Sequence, residues 1–193
     1  MNRFCRLCLK EAQVQVSPSG IIFCQCVECG RFGYTSLALD GHATEQLFKI
    51  SCILVEKKLM GISGVVILSR GNSFAGEKGW TGYIVEDLLN EFPVRGLDIF
   101  HRSLLNLGRL LEKPAQVLQV NDHIHRPIFS ESRDDVEYFF KQMAKGGYVT
   151  EYSGFASATQ LTMKAWEEIG RLNGNGDVRS QKKTGFVAMW FSP

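Results

Sequence analysis

Two Cys-x2-Cys pairs, Cys5/Cys8 and Cys26/Cys29, constrain this chain more than any other feature. Two thiolates spaced this way wrap a tight turn and present both sulfurs to one ion, and two such turns brought together complete a tetrahedron around zinc. The seventeen residues between the pairs suit a strand out and a strand back. Ala12 to Val16 alternates, Ser17-Pro18-Ser19-Gly20 turns, and Ile21 to Phe23 returns, so residues 1–36 read as a zinc ribbon. The expected structural Zn2+ ligands are Cys5, Cys8, Cys26 and Cys29. Cys24 stands just before the second pair and offers itself as an alternative to Cys26, but Cys26-Val-Glu-Cys29-Gly30 has the form of a metal knuckle, with the glycine free to turn left-handed. Disulfides are the competing use of such pairs. No basic segment followed by an apolar core opens the chain, which points to a reducing, cytoplasmic setting. With four protein sulfurs the site is closed and stabilises a fold without activating water. Cys52, within Lys49 to Val55, reads as a small buried hydrophobe.

The 193 residues carry a formal net charge of +2, which argues against a nucleic-acid binder working by bulk charge. No apolar run approaches the roughly 20 residues that span a bilayer, so no membrane partner is expected. Residues 37–80 read as a helical and Gly-rich connector: a helix from about Thr44 to Met60, then glycines around Val65-Val66-Ile67-Leu68. These glycines fit neither a P-loop nor a dinucleotide fingerprint.

Residues 81–173 read as a winged-helix-like domain. A helix is expected from Thr81 through Leu89, ended by Pro93, and a second from Leu97 to Glu112. Val117 to Val120 is a short strand candidate, and His123 and His125 would share a face if it continued. Two histidines without a third ligand read as solvated surface. Ser132 caps a helix to Ala144 with Gly146-Gly147 as its stop. Tyr148 to Tyr152 and Ser157 to Leu161 read as a hairpin, and Thr162 caps a last helix to about Leu172. From Ala115 to Met163 the net charge is −2, with Glu131, Asp134, Asp135 and Glu137 crowding the start of the would-be recognition helix, and the hairpin tip lacks Lys or Arg. Groove reading by this face is disfavoured. The ribbon, with Arg3, Arg6, Lys10 and Arg31 against Glu11 and Glu28, carries +2, which reads as solubilising surface.

Residues 174–184 read as a linker, and Gly185 to Pro193 as a strand buried on both faces. The segments CVECGRF at Cys26 to Phe32, RSLLNLGRL at Arg102 to Leu110, LTMKAWEEI at Leu161 to Ile169 and GFVAMWFSP at Gly185 to Pro193 resemble bacterial proteins with an N-terminal zinc ribbon and a winged-helix middle. Their C-terminal domain is like TIR or nucleoside 2-deoxyribosyltransferase domains. The resemblance implies that residues 185–193 begin such a domain, with its catalytic residues beyond Pro193, and a role in bacterial defence through N-glycosidic cleavage or transfer on a nucleoside or nucleotide. No catalytic residue is expected in this chain, and a nucleotide ligand only with the downstream domain.

The expected fold class is therefore α+β: zinc ribbon, helical connector, winged-helix-like domain and an isolated strand of a further α/β domain. The expected function is that of a non-enzymatic sensor or regulatory region binding a protein partner, itself or nucleic acid. The alternative is a DNA-binding transcription regulator using the same two modules.

Overall fold

The computed structural model describes residues 2–62, 64–70, 74, 79–111 and 113–174, and within them the chain is α+β. The linker after Gly174 and the apolar run from Gly185 to Pro193 lie outside the described residues.

Alternation of small or apolar with polar residues builds a four-stranded antiparallel meander from β1 (Asn2–Phe4), β2 (Glu11–Val16), β3 (Ile21–Cys26) and β4 (Gly30–Thr35). In β3, Cys24 and Cys26 face one side while Ile21, Phe23 and Gln25 face the other, as the register Gln13–Gln25–Arg31 and Gln15–Phe23–Gly33 requires. The strand out and back between the cysteine pairs is as the sequence leads one to expect.

The sheet does not stop at residue 36. Helix α1 (Thr44–Leu59) crosses over to β5 (Val65–Leu68), which pairs parallel to β4, and β6 (Thr81–Ile84) pairs parallel to β5. All four residues of β5 are buried, the signature of a strand covered on both faces. Val65 and Ile67 join the core that α1 shares with Cys24, Cys26 and Phe32, whereas Val66 and Leu68 pack with Ile21, Phe23 and Trp80 on the opposite face. The expected helix from Thr81 is corrected here: Thr81–Ile84 is strand, and the helix that follows, α2 (Val85–Asn90), is one and a half turns long. Pairing with β5 overrides the helical spacing of Ile84, Leu88 and Leu89.

The second half is built on α3 (Gly96–Leu111), α4 (Arg133–Lys145) and α5 (Met163–Gly174) around Leu104, Leu107, Phe140, Met143 and Ile169. Gly108 marks the crossing of α3 and α5, because a Cβ there would lie 2.8 Å from Ile169 Cδ1. Ser132 caps α4 as expected: its Oγ accepts from Asp135 N at 3.1 Å and the Asp135 carboxylate accepts from Ser132 N at 3.2 Å. Strand β7 (Leu118–Gln119) pairs antiparallel with β8 (Ala158–Thr159), and Leu161 bridges to Val149. The last strand thus lies between β7 and residues 148–150. The expected strand Tyr148 to Tyr152 contracts to that one bridge, since Thr150 hydrogen-bonds Gln160 and the chain then leaves the ladder. His123 lies in a 3-10 turn, Asp122–Ile124, with His125 as its cap, so the two histidines do not share a strand face.

Candidate metal centre

Each cysteine pair sits where a strand ends in a knuckle. After β1, the backbone closes on itself as Cys5 N donates to Lys10 O and Leu9 N to Cys5 O, both at 2.8 Å. The second knuckle links β3 to β4, with Cys26 opposite Gly30. Gly30 turns left-handed at φ +80°, and Leu9, in the equivalent place after Cys8, does the same at φ +58°. A leucine seldom adopts this conformation, so the likeness of the two knuckles is hidden at that position in the sequence.

The turns face each other. Cys5 Sγ lies 3.8 Å from Cys29 Sγ, Cys8 Sγ lies 3.4 Å from Cys26 Sγ, and all four sulfurs fall within 4.8 Å of one another. Four sulfurs placed tetrahedrally about 2.3 Å from a metal are about 3.8 Å apart, so the cluster has the size of a four-coordinate site. Cys5, Cys26 and Cys29 are buried, Cys8 is half-buried, and none of the cysteines is in a disulfide. No other set of three or more His, Cys, Asp or Glu side chains among the described residues has metal-site geometry.

Without a metal, four crowded thiols cannot share charge evenly. Cys26 is held below the ordinary thiol range, first by Cys29 and then by Cys5 and Cys8. Contact with Cys26 in turn pushes Cys29 and Cys8 far up, and Cys5 is raised to about 12 by Cys24 and then Cys26. A divalent cation removes this conflict by taking all four sulfurs as thiolates. Cys24 is buried on the same sheet face and its pKa is lowered by contact with Cys5, yet it is outside the four-sulfur cluster. Cys52 is buried in α1, its thiol pushed up by desolvation.

No family model, no curated protein and no solved structure matches the chain. The cysteine cluster therefore carries the argument about function.

The surroundings of Glu28, beside the cluster, are not legible in the sequence. Glu28, between two of the sulfur donors, has a side chain only 10% exposed and faces His123 Nδ1 at 3.0 Å and Arg126 Nη1 at 3.5 Å. Arg126 also donates to Ser51 Oγ of α1 at 3.0 Å. His123 is thus engaged by a carboxylate, and His125 turns its Nδ1 to Ser130 O at 3.3 Å. A glutamate inside a knuckle reads as solvated charge in sequence; only the distant 3-10 turn reveals its partners. Among the described residues no helix is long and apolar enough to cross a membrane.

Proposed function

We propose that this chain is a zinc-stabilised binding and regulatory region in which Cys5, Cys8, Cys26 and Cys29 hold one structural Zn2+. The convergence of four sulfurs within 4.8 Å carries the reading. An all-thiolate tetrahedral set suits zinc, and with no open position the ion fixes structure and leaves water unactivated. Bound zinc supplies the cross-link that pins the two knuckles. The residues do the rest: Gly30 and Leu9 set the turns, and Phe32 and α1 cover the sulfurs.

The second half supports a winged-helix-like module. The order of α3, β7, 3-10 turn, α4, bridge at Val149, β8 and α5, with β8 between its neighbours, favours this reading. We assign it to partner binding, with protein, a second copy or nucleic acid as the partner. The resembled family would place a nucleotide-processing domain under its control. Transcription regulation by major-groove reading is the weaker reading: Asp134 and Asp135 occupy the exposed first turn of α4, where phosphates would approach.

Elemental analysis of the purified chain tests the proposal. One zinc per chain, lost together with the fold of the first half on chelation, is the expected result. Iron in place of zinc, or a folded protein with no metal, would refute it.

A further inference from the structure

The meander has a second face, turned away from the sulfurs, and its composition is unlike ordinary solvated surface. The register sets Gln13, Gln25 and Arg31 in one row and Gln15 and Phe23 in the next, with Trp80 packed beside them. Phe23 and Trp80 are half-buried with ring centroids 4.7 Å apart, and Arg31 lays its guanidinium 4.8 Å from the centre of the indole. Together with Cys24, these six residues line a cleft of about 320 Å³. A second cleft of the same volume adjoins it and shares Gln13 and Gln25, so a trough continues past the glutamines. Among the described residues no acid lines the first cleft, and Glu11 alone lines the second. Arg31 has no ion pair with a described residue, and the three exposed carboxamides have no hydrogen-bond partner among the described residues.

We propose that this face binds single-stranded nucleic acid, an inference that rests on the zinc-stabilised binding region proposed above and names its partner. Each part of the face matches one part of such a strand. Unpaired bases stack on aromatic rings and on the plane of an arginine, and Trp80 with Arg31 offers both. A carboxamide presents a donor beside an acceptor, the pattern found on exposed base edges, and three of them stand free on neighbouring strands. Arg31, which has no ion pair among the described residues, supplies a charge for a phosphate. The volume admits one base, and the trough leads onward for the next nucleotide. A duplex keeps its bases stacked internally and gains little here. By charge alone, the ribbon's +2 is ordinary solubilising surface. The structure adds what charge alone does not show, because Arg31 and Trp80 lie 49 residues apart and meet only when β6 joins the sheet.

The test is fluorescence anisotropy of the full chain with labelled 12-nucleotide single-stranded DNA and RNA probes, compared with a duplex of the same sequence, at several salt concentrations. Zinc content is measured on every protein sample. The single strands are expected to bind and the duplex to bind at least tenfold more weakly. Trp80→Ala is expected to weaken binding about 5- to 150-fold. Arg31→Ala, an exposed substitution that leaves the fold intact, is expected to lower the slope of log affinity against log salt by about 0.7. Val94→Ala, at a solvent-exposed position between α2 and α3, should change nothing. Zinc-loaded protein that binds no single strand, prefers the duplex, or binds equally well after both Trp80→Ala and Arg31→Ala would overturn the proposal while leaving the metal reading intact. Absence of zinc would overturn the metal reading instead.

Discussion

At the scale of single residues, the four sulfurs are not equivalent to their neighbour Cys24. Cys26→Ser is expected to reduce bound zinc from one per chain to near zero, whereas Cys24→Ser retains it. Full metal content in Cys26→Ser would show that Cys24 serves as the ligand. Loss of zinc removes a contribution on the order of 10 kcal/mol. Because Cys26 shares its core with Phe32, Ile53 and Ile67, the damage extends through α1 and β5 beyond the ribbon. Cys52 tests the packing by another route. Its pKa is raised above the ordinary 9.0 by burial, so the folded state favours the neutral thiol. That preference is fully present below pH 9 and is lost as pH rises beyond it. Unfolding midpoints should therefore fall above pH 9, and Cys52→Ala, though less stable at neutral pH, should lose part of this alkaline slope. An unchanged slope would place the sensitivity elsewhere.

At the scale of elements, the crossing of α3 and α5 depends on Gly108. Gly108→Val drives a side chain into Ile169 and is expected to cost about 1–3 kcal/mol, read as a lower urea midpoint. A larger helix propensity does not compensate, since valine gains little over glycine in a helix. Helices of this kind were legible in sequence because their apolar spacing and caps are local: Ser132 before Val136, Phe140 and Met143 predicts α4 and its start. The hairpin between the cysteine pairs was legible for the same reason. Strand β6 was not, because four residues including Gly82 carry little period-two signal and their pairing with β5 is remote in sequence. The four-cysteine cluster was legible from spacing alone, but the Arg31–Trp80 contact and the Glu28 partners depend on tertiary placement.

At the scale of the whole molecule, charged side chains fasten the two halves together. Glu56, on α1 and 7% exposed, accepts from Nε and Nη2 of Arg102 on α3, while Nη1 donates to Glu91 O and the guanidinium lies over Phe129. Arg102→Ala leaves that carboxylate buried and unpaired, at an expected cost of about 3 kcal/mol, while the paired replacement Glu56→Leu with Arg102→Met should recover most of it. Comparable losses in the single and paired variants would show that packing, and not the ion pair, governs the seam. Glu28 connects this seam to the cysteine cluster. Held between Cys26 and Cys29, it fixes Arg126 and His123, so chelation should raise hydrogen exchange at residues 122–131 as well as in the ribbon, with α4 still protected. Native mass spectrometry of the intact chain before and after chelation reads metal and fold together. A single added zinc is expected, whose removal broadens the charge-state distribution as the first half unfolds; an unshifted mass with a compact distribution throughout would contradict a zinc-dependent fold.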